Sequence, residues 1–149
     1  MHEPSDPFFQ VPRSRYVTTE GEVDLPILYY DASALFAMFA APRDAVERKL
    51  RDTDLEPGVT FGRRALVGVA HFNYRHTSIG AYKEVGFGVS VVPQGETAPR
   101  NPLAALYGPV DQRRAGFYTL DLPVTTDSAD TAGRELWGFP KFVAEIPFQ

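Results

Sequence analysis

Two alternating runs divided by a short turn constrain this chain more than any other feature. From Ala65 to Tyr74, the residues Leu66, Gly68, Ala70, Phe72 and Tyr74 share one parity, and Val67, Val69, His71 and Asn73 share the other. A period of two is the mark of a strand, whose successive side chains point to opposite faces. From Tyr82 to Val92, Val85, Phe87, Val89 and Val91 alternate with Gly86, Gly88 and Ser90, so a second strand follows. Residues 77–81 are too few for a crossover, which predicts an antiparallel hairpin. Gly86 and Gly88 leave space on one face, either for a ligand or for a crossing strand. The 12 glycines and 13 prolines suit turn-rich β structure, and the 44% hydrophobic fraction is that of a globular chain.

The other segments arrange themselves around this hairpin. Residues 1–22, with Pro4, Pro7 and Pro12, have no period and read as an extended N-terminal arm; residues 23–149 form the domain. Val23 to Tyr30 is β-like. Asp31 then offers an N-cap for a helix through Leu35, Phe36 and Phe39 that ends before Pro42. Pro42 opens a second helix to about Leu50, with Asp44, Glu47, Arg48 and Lys49 as a solvated face. Leu55 to Gly58 is a turn, and residues 93–102 are a loop. Gly116 to Leu122 is a strand ended by Pro123. Thr126, Asp127 and Ser128 compete to cap a helix running to Trp137, and Gly138 stands where a left-handed C-cap belongs. Phe142 to Phe148 alternates as a final strand. The fold class is therefore α+β, predominantly antiparallel β with short helices.

Composition removes several kinds of function. A net charge of -4 with scattered basic residues gives no footprint for nucleic acid or an anionic membrane. With no cysteine there is no disulfide, thiol nucleophile or thiolate metal site. No apolar run approaches the ~18 residues of a membrane span, and the N-terminus lacks the basic start of a signal peptide, so the expected location is cytoplasmic. His71 and His76 point to opposite faces of a regular strand and cannot chelate one ion, so no metal is expected. Walker loops, nucleophile elbows and dinucleotide fingerprints are absent from the sequence.

Chemistry concentrates at Gly133-Arg134-Glu135-Leu136-Trp137-Gly138-Phe139-Pro140-Lys141. The chain has only three lysines, Lys49, Lys83 and Lys141, and here one of them stands where a capped helix turns into a strand. Pro140 fixes its own φ and biases Phe139 toward extended structure, so the amine is presented in a defined direction. Trp137, Phe139 and Phe142 offer apolar cover. An ordinary lysine is neutral in only about one molecule in 2,500 at pH 7, and burial against apolar surface raises that share. Neutral amine attacks carbonyls. A lysine beside aromatics also has a plainer reading, with its stem on the apolar surface and its head in water.

The run from Gly133 to Lys141, followed by Phe142-Val143-Ala144-Glu145-Ile146, resembles the lysine motif of the acetoacetate decarboxylase family. Ile79-Gly80-Ala81-Tyr82-Lys83-Glu84-Val85 is similar to that family's tyrosine-x-glutamate strand, and Leu25 to Asp31 with the following helix resembles its first strand and helix. The resemblance implies part of a β-barrel or cone, with Lys141 as the Schiff-base lysine and Glu84 as an active-site carboxylate. On residue type alone, Glu84 reads as a surface ion-pair residue, and it is the resemblance that turns the reading to an inward carboxylate. The expected activity is a cofactor-independent lyase acting on a keto acid, foremost decarboxylation of a β-keto acid such as acetoacetate. The alternatives are aldolase or dehydratase chemistry on a 2-oxo acid through the same iminium, or a non-catalytic apolar-ligand-binding or assembly module. Tyr82, Trp137, Phe139 and Arg134 are the expected substrate-binding residues. Tyr29 and Tyr30 stand where the family often has a basic residue, which leaves the substrate carboxylate to Arg134, Arg75 or Arg64. Phe142 replaces the second lysine of acetoacetate decarboxylases. The family continues with further strands, so the expectation is a chain lacking the C-terminal half of the barrel. The expectation is either one part of a longer polypeptide or a subunit that assembles as a homo-oligomer or with a partner chain that completes the barrel.

Overall fold

The computed structural model describes residues 5–97, 109 and 115–147. Among the described residues the structure is mostly β with two α-helices. Strands β1 (Ser14–Thr18) and β2 (Gly21–Leu25) form an antiparallel pair of their own, with Arg15 bonded to both Glu22 and Asp24. The arm expected over residues 1–22 thus contains a paired strand. The second sheet has seven strands. Its main path runs β3 (Tyr29–Pro42), β6 (Arg64–Thr77), β7 (Tyr82–Pro93), β8 (Gly116–Val124) and β9 (Lys141–Val143). Among the described residues this path is open rather than closed on itself. Short strands β4 (Leu55–Pro57) and β5 (Thr60–Phe61) pair antiparallel with β7 and β6.

The hairpin of β6 and β7 forms as its alternation predicts. At its turn the Thr77 hydroxyl accepts from the Ile79 N–H and donates to the Gly80 carbonyl, with Gly80 at φ 98°. Helix α1 (Arg43–Leu50) follows Pro42 directly and carries the i,i+4 pairs Arg43–Glu47 and Arg48–Asp44 on its exposed side. Helix α2 (Asp127–Trp137) is capped by Thr126, whose hydroxyl accepts from Ala129 N–H, and closes at Gly138 in the left-handed region, φ 68°.

Four sequence expectations are corrected. Leu55 to Pro57, expected within a turn, is strand β4, held by its pairing with β7. The segment after Asp31 is not a helix but the long strand β3. Its Ala, Leu, Phe and Met residues include strong helix formers, yet pairing with β6 overrides that local preference. Asp31 caps nothing; its carboxylate takes both Nε and Nη2 of Arg75 on β6, and Ser33 Oγ accepts from Nη1. Next, Pro123 does not end β8. The ladder toward β9 uses the N–H of Leu122 and the carbonyl of Val124, so the N–H that proline lacks is not needed there. Last, the final strand is shorter than expected and parallel: Leu122, Pro123 and Val124 face Lys141, Phe142 and Val143, making β8–α2–β9 a βαβ unit. Phe148 and most of the loop expected over 93–102 lie outside the described residues.

The chain divides into two compact units. One comprises Phe36–Val69 and Phe87–Leu120. It buries Val46 and Leu50 of α1 with Ala65, Val89 and Val91, and a smaller cluster of Val59 and Leu66. Within it the glycines of the strands make room for protein: a Cβ on Gly68 would stand 3.2 Å from Met38 Sδ and 3.3 Å from the Phe117 ring, and one on Gly88 3.3 Å from the Tyr118 carbonyl. The other unit comprises Met1–Leu35, Ala70–Gly86 and Asp121–Gln149, and buries Tyr82, Val124 and Ala129 with Tyr74 and Ile79 against them. No described helix is long and apolar enough to cross a membrane.

Candidate active site

Lys141 takes its place from the way α2 ends. The Gly138 N–H bonds the Arg134 carbonyl and the Phe139 N–H bonds the Gly133 carbonyl, so the chain reverses within two residues. Pro140 follows, its carbonyl accepting from Leu122 N–H, and β9 begins at Lys141 beside the last turns of α2. The buried face of α2 is made of small residues, Ala129, Ala132 and Gly133 at helical spacing, which lets the helix lie close to its neighbours. Gly133 is the critical one. A Cβ there would stand 2.5 Å from Lys141 Cε and 3.1 Å from Nζ, so the end of the lysine side chain runs directly over the glycine Cα. Glycine inside a helix costs about 1 kcal/mol relative to alanine, and the lysine's course accounts for its presence.

Glu84 comes from β7, two strands away in the order β7-β8-β9. Strands lie about 4.8 Å apart, so two long side chains on one face meet over the strand between them. Lys141 Nζ donates to Glu84 Oε2 at 2.6 Å, with side-chain exposures of only 8% and 10%. That carboxylate is the only acceptor for the ammonium among the described residues, although an ammonium has three N–H groups to donate.

Phenols surround the pair. The Tyr82 ring centroid lies 5.7 Å from Nζ, within cation–π range, and Tyr82 Oη is 3.1 Å from Tyr29 Oη. Tyr74 sits between them, its ring 4.8 Å from Tyr29 and 4.7 Å from Tyr82, and it stacks on Phe72 at 5.4 Å. Burial pushes all three phenols above the ordinary tyrosine range, and the negative charge of Glu84 adds to the rise. For Tyr82 the hydrogen bond with Tyr29 raises it further, whereas for Tyr29 the same bond opposes the rise. At neutral pH they are hydrogen-bond donors, not phenolates.

The structure thus brings Lys141, Glu84 and Tyr82 together and leaves the other expected residues outside. Trp137, Phe139 and Phe142 are 49%, 42% and 47% exposed and do not enclose the amine. Neighbouring strand residues point to opposite faces, so Phe142 cannot share the side that Lys141 takes. Cover comes instead from Tyr82 and from α2 at Gly133. The Arg134 guanidinium is exposed on α2, 3.5 Å from Asp130, and Arg75 is tied to Asp31. Arg64 donates to the Ala40 carbonyl in the other unit. Tyr29, Tyr74 and Gly133 carry no substrate role in the sequence reading. Parity places Tyr74 and Tyr82 on inward faces of adjacent strands, but their contact depends on the register between those strands. A cavity of about 430 Å³ touches Tyr74 and Tyr82 without reaching Lys141 or Glu84.

Comparison with known proteins bears on the family and the fold. The family model described as acetoacetate decarboxylase matches residues 10–149. A crystal structure of acetoacetate decarboxylase from Legionella pneumophila is similar in fold, with a TM-score of 0.59 at 20% identity, covering 91% of this chain and 44% of that one. A second structure, from structural studies of acetoacetate decarboxylase, matches with a TM-score of 0.57 at 22% identity over 79% of this chain and 39% of that one. The chain therefore spans less than half the length of either structure. No curated protein matches the sequence. With the motif, the fold and the family match in agreement, the chain belongs to the acetoacetate decarboxylase family.

Proposed function

We propose that this chain carries the reactive lysine of a cofactor-independent carboxy-lyase that decarboxylates a β-keto acid such as acetoacetate. The observation that carries the reading is the Lys141–Glu84 pair at 2.6 Å, both side chains about nine-tenths buried. As a stabilising device such a pair is poor, because desolvating two charges offsets most of their attraction. As chemistry it supplies an amine with a proton acceptor in contact. In this reading the ammonium passes a proton to Glu84, and the freed nitrogen lone pair attacks the keto carbon. The carbinolamine hydroxyl takes the proton back from Glu84 and leaves as water, giving a protonated imine. The carboxylate leaves as CO₂, and the electron pair of the broken carbon–carbon bond moves into the iminium to give an enamine. Protonation at carbon and addition of water release the ketone and return the amine of Lys141.

Tyr29 and Tyr82 share one hydrogen bond, so one hydroxyl of that pair, together with that of Tyr74, is the neutral donor available for substrate oxygens. In the same reading the open sheet is part of the family's β-barrel or cone. A second copy or a partner chain is the expected cover for the apolar side of β3, where Leu35 and Phe39 are 68% and 54% exposed. The test is CO₂ release from a panel of β-keto acids by the chain and by Lys141→Met. Release that disappears in the variant supports the proposal. Release that survives it, or no release from any β-keto acid, contradicts it.

A further inference from the structure

We propose that Gly133 is a positioning residue, whose missing side chain forms the groove that holds the Lys141 amine against Glu84. This follows from distances alone. A Cβ at Gly133 would meet Lys141 Cδ closest of all and stand 2.5 Å from Cε, well inside the separation that real carbon atoms keep, and 3.1 Å from Nζ. All three atoms belong to the outer half of a long, flexible side chain, so the lysine yields by moving its stem while the backbone of α2 stays where it is. The same glycine accepts the Phe139 N–H through its carbonyl, which ties the groove to the turn that aims Lys141. One residue therefore sets where the stem lies and where it starts. The amine's only acceptor among the described residues is Glu84 Oε2, so displacement of the stem separates the nucleophile from its proton acceptor.

The two possible roles of Gly133 predict opposite results for Gly133→Ala. If the glycine matters only to the helix, alanine is the better helix former and the variant gains stability with its amine undisturbed. If it is the groove, the fold survives and the amine moves. The consequence for catalysis rests on the Schiff-base reading; the displacement of the amine does not, so the experiment reads them separately. The chain and Gly133→Ala are treated with formaldehyde and cyanoborohydride, and methylation of Lys141 is followed by peptide mass. They are separately treated with acetoacetate and borohydride, and reduced adduct on Lys141 is followed in time.

The groove predicts that methylation of Lys141 becomes severalfold faster in the variant, as the amine leaves its buried pair. Adduct formation at saturating acetoacetate falls by about 10- to 100-fold, with the half-saturating concentration unchanged. Unchanged methylation in a folded variant overturns the proposal. Faster methylation when neither protein forms an adduct upholds the groove and overturns the Schiff-base reading alone. Melting curves in a second background decide the case of a variant that does not fold. If the further destabilisation caused by Gly133→Ala vanishes when it is measured relative to Lys141→Ala alone, the groove is upheld; an increment of the same size in that background overturns it.

Discussion

Val46, Leu50, Ala65, Val89 and Val91 fill the centre of one compact unit, whereas the other buries Tyr82, Glu84 and the Lys141 side chain and sets Tyr74 and Tyr29 beside them. The first arrangement is non-directional: aliphatic side chains of the right total volume suffice, and exchanges that conserve volume cost little. The second depends on direction. Each buried polar group needs its partner, and loss of one leaves the other desolvated without compensation. The aliphatic unit needs no chemistry to explain it, whereas a lysine and a carboxylate held together out of water call for one. The contrast is sharpest in variants that treat the two interiors alike.

The largest effect falls on the pair. Lys141→Ala leaves Glu84 buried and alone, and the expected loss is about 3–5 kcal/mol in denaturant unfolding. The double variant Lys141→Met, Glu84→Gln removes both charges and should recover most of that stability without any reactive amine. If the double variant is as unstable as the single one, the pair is not an isolated charge problem and the contrast between the units fails. Next comes Leu50→Ala, which opens a cavity in the aliphatic unit and should cost about 2–5 kcal/mol. The folded fraction of that variant should keep its chemistry per molecule. A loss of chemistry beyond the loss of folded protein would couple the aliphatic interior to the lysine.

The smallest effect is a response to alkali. Tyr29, Tyr74 and Tyr82 are raised above the ordinary range by burial, so the folded state holds phenolic protons that the unfolded chain releases near pH 10. A group raised on folding lends stability that is complete below its unfolded value and declines above it. Stability should therefore be level up to about pH 10 and fall beyond. Protection against amide exchange, taken relative to the base-catalysed intrinsic rate, should be lost first on β7 around Tyr82 and later at Val89 and Val91. A simultaneous loss of protection in both units would show that the phenols do not govern the alkaline response.

Local signals made much of this legible in the sequence. The hairpin of β6 and β7, α1 after Pro42, an N-cap among Thr126, Asp127 and Ser128, and the left-handed Gly138 all rest on period or on a single residue's conformational demands, and the structure selects Thr126. The meeting of Lys141 with Glu84 came from a motif resemblance, since nothing local links residues 57 positions apart. What was hidden is non-local. The segment from Asp31 to Pro42 has a helix-favouring composition, and only its pairing with β6 makes it a strand. Trp137, Phe139 and Phe142 adjoin Lys141 in the chain but stay exposed: Phe142 takes the opposite face of β9, whereas Trp137 ends α2 and Phe139 lies in the turn before the strand begins. Tyr74 and Tyr29 reach Tyr82 through register, and Gly133 reaches Lys141 only after the reversal at Gly138.

The account stands on one atom, the Nζ of Lys141. Borohydride reduction in the presence of acetoacetate, followed by peptide mapping, asks directly whether that atom forms an imine. The account predicts a single reduced adduct on the peptide containing Lys141, none on those containing Lys49 or Lys83, and none anywhere without the keto acid. Adduct spread over all three lysines, or confined to Lys83, would contradict it.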